Sequence, residues 1–163
     1  MPATPSTEQV WHEIGRQIFA VLGFVSQQGE ARTAGIVYIA RGQEIFIGTD
    51  RKSWKARHIE ANPHVSLTVT IPKGVPLMPW IRIPPATITF QGKAALCSLD
   101  DVSGEIEHIL FRGLKLSRED REKICIIRVT PEGDFVTYGV GVPLLTMRHP
   151  EEARGRAPVT QKP

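Results

Sequence analysis

The sequence predicts a mainly β protein: a six- to seven-stranded antiparallel split barrel of Greek-key type, with a few peripheral helices. Three observations predict it. From about residue 20, short runs rich in Val, Ile, Thr, Phe and Tyr alternate with turn residues. The links between neighbouring runs are too short for a parallel crossover, so those neighbours must be antiparallel. Strand-helix-strand alternation is absent, which disfavours a doubly wound sheet and favours a closed sheet without exposed edges.

The first element is the exception to the strand rhythm. Ser6 followed by Gln9 has the pattern of a capping box, and Val10, Ile14, Ile18 and Val21 recur at helical spacing. A helix is therefore expected over about residues 7–18, packed on one side of the sheet, with Trp11 and Phe19 as core residues. Strands are expected at about 20–27, 33–40, 44–49, 65–71, 86–97, 124–130 and 134–140. Gln27-Gln28-Gly29-Glu30, Arg41-Gly42-Gln43 and Pro131-Glu132-Gly133 are the expected tight connections.

Two segments interrupt the strands with helix. Residues 53–61 form a short helix that Ser53 can cap, and Asn62-Pro63 ends it because the residue before a proline is pushed out of the helical region. Residues 102–112 place Ile106, Ile109 and Leu110 on one face, with Gly113 as terminator, and Ser117 with Asp120 starts one more helical turn. Between the fourth and fifth strands lies an irregular stretch, 72–85, with five of the thirteen prolines and with Val75, Leu77, Met78, Trp80 and Ile81. Long loops in a compact domain tend to be functional. This one could cover a planar ligand, meet a second subunit, or pack on its own barrel.

A length of 163 residues allows one domain, assigned to residues 1–147. Hydrophobic residues at 41% and charged residues at 23% are too apolar for a disordered chain, and no run is long enough to span a membrane. The net charge of +3 is partly carried by residues 148–163, which hold Arg148, Arg154, Arg156 and Lys162 against Glu151 and Glu152. That stretch, poor in apolar residues, is expected to be a disordered tail. The remaining excess of about +1 gives no support for a nucleic-acid surface. Cys97 and Cys125 are distant and show no metal or redox spacing, so reduced thiols are expected. The start MPATPSTEQV lacks the pattern of a signal peptide, and a cytoplasmic protein is expected.

What charge there is concentrates in one place. Between Gly48 and His58, Arg51, Lys52, Lys55 and Arg57 stand against Asp50 alone, at a strand end that leads into a helix N-terminus. Unpaired N–H groups and the positive end of the helix dipole favour an anion there. Thr49 and Ser53 add hydroxyl donors, and Arg32 joins them if the strand at 33–40 pairs with that at 44–49. Lysine, arginine, hydroxyls and amides together suit a phosphate; a solvated basic surface is the other reading.

These residues carry a resemblance. Ile45-Phe46-Ile47-Gly48-Thr49, then Ser53-x-Lys55, then Asn62-Pro63-His64-Val65-Ser66-Leu67, with Gly92-Lys93-Ala94 later, resembles the pyridoxamine 5'-phosphate oxidase-like FMN-binding split barrels over roughly residues 18–140. The resemblance implies a homodimer with a phosphorylated flavin between its subunits: FMN, or the deazaflavin F420 as in some relatives. It implies that Arg32 reaches the phosphate region and that Thr33, Ala34 and Gly35 run along the isoalloxazine ring. Thr49 and Ser53 fall at the hydroxyl positions and Lys55 at the phosphate lysine. Thr87 falls where relatives have a glutamine reaching from the partner subunit, with a shorter reach. Trp54 replaces the usual arginine of Ser-Arg-Lys; Arg57, one turn on, can restore the charge, or Trp54 can stack on a ring.

The activity so implied is a flavin-dependent oxidoreductase acting on a small organic substrate, with no catalytic protein residue required because the flavin brings its own reactivity. The Tyr-x-x-Arg-x-x-x-Ser and Arg-Leu-x-Pro segments of true pyridoxamine phosphate oxidases are absent, which disfavours vitamin B6 oxidation. The alternative is a non-catalytic barrel that carries haem, flavin or another ligand. No metal site is expected: Glu105-x-x-His108 occurs once, and His12, His58, His64 and His149 are scattered. His58, on the basic helix, could face the cofactor, but a solvent-facing histidine is the expected reading.

Overall fold

The computed structural model describes residues 4–75 and 77–160. The elements run α1 (Thr7–Arg16), β1 (Phe19–Val25), β2 (Ala31–Val37), β3 (Ile39–Arg41), β4 (Glu44–Asp50), α2 (Trp54–Ala61), β5 (His64–Ile71), β6 (Ala86–Cys97), α3 (Gly104–Leu110), α4 (Arg118–Lys123), β7 (Ile124–Tyr138), α5 (Pro150–Ala153) and β8 (Arg154–Pro158). All the strands belong to one antiparallel sheet in the order β2-β1-β5-β6-β7-β4-β3, with β8 also paired to β7. The strands at the two ends of that path, β2 and β3, are joined through Tyr38 alone, so the sheet curls round into a split barrel.

Strand alternation decides what is inside. On β5, Val65, Leu67, Val69 and Ile71 are buried, and on β6, Ala86, Ile88, Phe90 and Ala94. The first helix closes this core with Val10 and Ile14, and its capping box is formed by Ser6 and Gln9 as the spacing predicts. Tyr38 is buried against it and donates its hydroxyl to Ile14 O at 2.7 Å; burial pushes this phenol far above its ordinary pKa. A smaller cluster of Phe46, Leu99, Ile106 and Ile126 lies under α3.

Four expectations are corrected. The tail expected to be disordered over 148–163 instead forms α5 and β8, and Val159 continues the inward row, with residues 161–163 outside the described part. Gly155, Ala157 and Val159 point inward in alternation, Thr7 Oγ1 donates to Pro158 O at 2.8 Å, and Trp11 Nε1 donates to Val159 O at 3.0 Å. Small side chains at period two made the segment read as non-apolar. Second, Pro131-Glu132-Gly133 is no hairpin link. β7 runs through it with a bulge against β6 between Thr89 and Gln91, and Gly133 supplies the left-handed φ of 74°. Third, the strand expected at 33–40 is two: β2 pairs with β1, and only β3 pairs with β4. Fourth, Phe19 is on β1, with its ring outside the core and 47% exposed.

Candidate functional site

The start of α2 is built by its own turn. Ser53 Oγ accepts the Ala56 N–H at 3.3 Å and lies 3.2 Å from Thr49 Oγ1 at the end of β4, so the cap is also tied to the sheet. Asp50 Oδ1 accepts the Lys52 N–H at 2.6 Å, which turns the acidic group of this turn back on its own backbone. No acidic residue occurs in the helix's first turn. Among the described residues nothing accepts the N–H groups of Trp54 and Lys55, and no carboxylate pairs with Lys52, Lys55 or Arg57. These amides are left without an acceptor at the positive end of the helix dipole.

Beside this turn an open cleft of about 610 Å³ is lined by Ala31, Arg32, Thr33, Trp54 and His58. Trp54 packs on the buried Phe24, with ring centroids 5.2 Å apart, and stays 44% exposed. His58 is half-buried rather than solvent-facing. Its Nδ1 accepts the Gln27 N–H at 3.3 Å, and its ring lies 6.2 Å from that of Phe24. A second groove of about 450 Å³ continues from Arg32 and Thr33 across the outer face to Gly23, Ser66 and Gln91. A Cβ on Gly23 would stand 2.6 Å from Ser66 Oγ, so glycine keeps that groove open.

The structure thus brings Arg32, Thr33 and Trp54 to one cleft, and sets Thr49, Ser53 and Lys55 at the helix start beside it. Arg57 lies exposed on α2. The route by which Arg32 arrives differs from the expected one: it is placed by β2 pairing with β1, opposite Phe24, and it pairs with Glu30. Both members are half exposed, so the pair is weak and leaves the guanidinium free to turn to an anion. Arg51 leaves the cluster: its amide donates to Lys123 O, and its guanidinium leans on Ile124 O.

Other positions are displaced from that cleft. Ala34 packs toward the barrel core. The Phe19 ring lies over Gly35, where an added Cβ would be 3.1 Å from Cε2, so this stretch of β2 is already covered. Thr87 sits four residues along β6 from Gln91 and three strands from Thr33, roughly 20 Å over the sheet surface. Within one chain it does not meet the others. Sequence reasoning missed Phe24, Ser66 and Gln91, and it weighed a cofactor-facing His58 but preferred a solvent-facing one. Ser66 and Gln91 could have been found as outward positions of their alternating strands, whereas His58 depends on how α2 docks on β1.

No family model matches the sequence, and no curated protein matches it. Solved structures do. An F420 reductase is similar at a TM-score of 0.58 and 20% identity, covering 76% of this chain and 93% of the other. A Listeria innocua protein provisionally named a pyridoxamine 5'-phosphate oxidase has a TM-score of 0.61 and 15% identity, with 77% and 93% covered. HutZ, the heme storage protein of Vibrio cholerae, has 0.60 and 16%, with 82% and 95% covered. At these identities the likeness is one of fold, and it agrees with the sheet order and curl found here: the chain has the split-barrel fold.

Proposed function

We propose that this protein is a flavin-dependent oxidoreductase that holds FMN, or F420 in its place, by the phosphate at the start of α2, and that it works as a cytoplasmic homodimer on a small organic substrate. The observation that carries the reading is the helix start itself. Two unclaimed amides and the Thr49–Ser53 hydroxyl pair stand at this helix start, Lys55 lies in the same turn and pairs with no carboxylate among the described residues, and the helix's first turn holds no acidic residue. That donor set fits a phosphate. When bound, the isoalloxazine or deazaflavin ring supplies hydride transfer. The chain's own residues bind and orient: Arg32 and Lys55 supply charge, Ser53 can donate its proton while still accepting from Ala56, and Trp54 offers an aromatic face at the cleft.

The outer sheet face supports the dimer. Phe19, Val21, Gly23, Val37, Ser66, Thr68, Thr70, Thr87, Thr89 and Gln91 carry no charge across four strands, and Phe19 and Val37 are largely exposed. The Thr68–Thr89 pair, hydroxyls 3.2 Å apart, stands midway between the Ser66–Gln91 level and the Thr70–Thr87 level. A two-fold axis through that pair exchanges the two ends of the face and brings the partner's Thr87 toward the cleft.

A second reading has its own support: a non-catalytic barrel carrying haem. The fold is shared with a heme storage protein, and His58 lines the cleft with Nδ1 engaged, which leaves Nε2 as the free nitrogen for a haem iron. The test is absorbance and mass spectrometry of the protein as purified, followed by titration with FMN, F420 and haem. A yellow sample bleached by dithionite, or submicromolar FMN or F420 binding, is expected; Lys55→Ala with Arg32→Ala should weaken it at least about tenfold with the fold intact by circular dichroism. Preference for haem establishes the second reading, and a colourless protein that takes up none of the three removes both.

A further inference from the structure

A cleft of about 620 Å³ opens between α1 and the β3–β4 hairpin, and neither the cofactor nor the dimer reading uses it. Glu8, Trp11, His12 and Gly15 line it from one face of α1, and Arg41 and Gln43 from the hairpin. β4 begins at Glu44 beside this hairpin and ends at Asp50 before α2, so roughly 20 Å of strand separates the cleft from the proposed phosphate position. Its walls are held in place. Trp11 Nε1 donates to Val159 O at 3.0 Å and Thr7 Oγ1 to Pro158 O at 2.8 Å, which pins α1 to β8 and its extension, and the Trp11 ring stands edge-on to the buried Phe135. On the other wall Arg41 Nε donates to Glu105 Oε1 at 3.1 Å and ties the hairpin to α3. The volume is that of an ordinary small-molecule site.

Gly15 separates this cleft from a mere surface crevice. Glycine is the poorest helix former after proline, yet it stands inside α1, and the helix is ended by Gln17 rather than by it. Nothing in the fold requires it there: its φ is not left-handed, and an added Cβ would meet no atom within 4 Å. What the missing side chain leaves open is the cleft itself.

The lining also has a sign. Arg41 already has its charge met by Glu105, and its Nη1 donates to Ala40 O at 2.9 Å. Glu8 and His12, one turn apart on α1, make no ion pair or side-chain hydrogen bond among the described residues, and neither does the Gln43 amide. A carboxylate, an imidazole nitrogen and an amide oxygen therefore stand as open acceptors around an indole, and an indole face attracts cations. The unmet charge is negative.

We propose that this cleft is a second ligand site, and that it takes a primary amine carried on a compact apolar frame. The ammonium donates to Glu8, with His12 and Gln43 as further acceptors, and the frame lies against Trp11 in the space that Gly15 leaves. The site stands apart from the cofactor reading and does not depend on it.

The probe is dansylcadaverine, a primary amine on a naphthalene frame, titrated into the whole chain by fluorescence, with dansylamide as the neutral control. The expected result is saturable binding of the amine at least about tenfold tighter than that of the control, since a hydrogen bond to a charged group is at stake. Glu8→Gln should bring the amine down to the affinity of dansylamide and leave dansylamide unchanged. Gly15→Leu should abolish binding of both probes while the circular dichroism spectrum holds and the urea midpoint does not fall, because leucine favours helix and enters open space. Gly15→Ala, a smaller intrusion, should weaken both probes by a lesser factor. Amine binding that does not saturate, that only matches dansylamide, or that survives Glu8→Gln or Gly15→Leu unchanged overturns the site. Displacement of the amine by FMN would put the probe in the cleft beside α2 and overturn it as well. A chain that binds the amine as expected but takes up no FMN upholds this site while the cofactor reading falls.

Discussion

Ser53→Asp separates the two duties of one hydroxyl. Ser53 caps α2 by accepting the Ala56 N–H and also stands beside Thr49 at the proposed phosphate position. Aspartate caps as well as serine and places a negative charge at the positive end of the dipole, so stability should hold or rise by about 0.3–1 kcal/mol. Thr49 can still donate to the new carboxylate. A phosphate at the same helix start would instead meet a like charge about 4 Å away, at ~1 kcal/mol per unit charge in water and ~4 kcal/mol near a protein surface. For a phosphate with close to two charges, the lower figure already gives about 2 kcal/mol, or roughly thirtyfold in affinity. Ser53→Ala should behave oppositely, losing ~1 kcal/mol of stability with the loss of the cap. The assay pairs urea denaturation with fluorescence titration of FMN. If Ser53→Asp binds FMN as tightly as wild type does, no phosphate lodges at the helix start and the assignment of Thr49, Ser53 and Lys55 is wrong.

Truncation after Ala153 should destabilise the fold by about 4–6 kcal/mol, from the burial of Val159 and the loss of the hydrogen bonds of Thr7, Trp11 and Val159 to β8, β7 and their extension; an unchanged urea midpoint would show the C-terminal strand to be dispensable. Gly92→Ala should cost about 1–3 kcal/mol, because the new Cβ would lie 2.6 Å from the Thr130 carbonyl oxygen, which is backbone and cannot swing aside; thermal denaturation decides it. The Ser98 hydroxyl, and after it the Ser98 amide, hold the Asp101 carboxyl below its ordinary pKa, so its contribution is present at neutral pH and is lost as the pH falls through that lowered value. Asp101→Asn should accordingly lower the urea midpoint at pH 7 and converge on wild type in acid. Tyr38→Phe should cost ~1 kcal/mol by removing the hydroxyl's bond to the Ile14 carbonyl, which then keeps only the Gln17 N–H, and thermal denaturation checks it.

Local rules carried far in this chain. The capping box of Ser6, the caps of Ser53 and Ser117 and the stop at Asn62-Pro63 depend on residues within four positions of one another, and so they could be read directly. The strands on the barrel wall were equally legible, since one face of each is buried and period two follows. The grouping of hydroxyls and cations at the start of α2 was visible for the same reason, as they lie within one turn.

What the sequence could not decide was partnership between distant segments. It offered β4 as the companion of the whole of 33–40, whereas closing the sheet required the chain to break at Tyr38 and give β2 to β1. It offered Arg51 as one more cation for the anion site, whereas docking of α4 drew it away to the Lys123 and Ile124 carbonyls. It discarded the last sixteen residues for want of large apolar side chains. Their glycine, alanine and valine are buried only because β7 is long enough to pair with β6 and β8 at once, and because Trp11 and Thr7 reach across from α1. Composition and short spacing fix what a segment can become. Which segment it meets is settled by the one closed arrangement that buries every inward face together, and that is a property of the whole sheet rather than of any stretch within it.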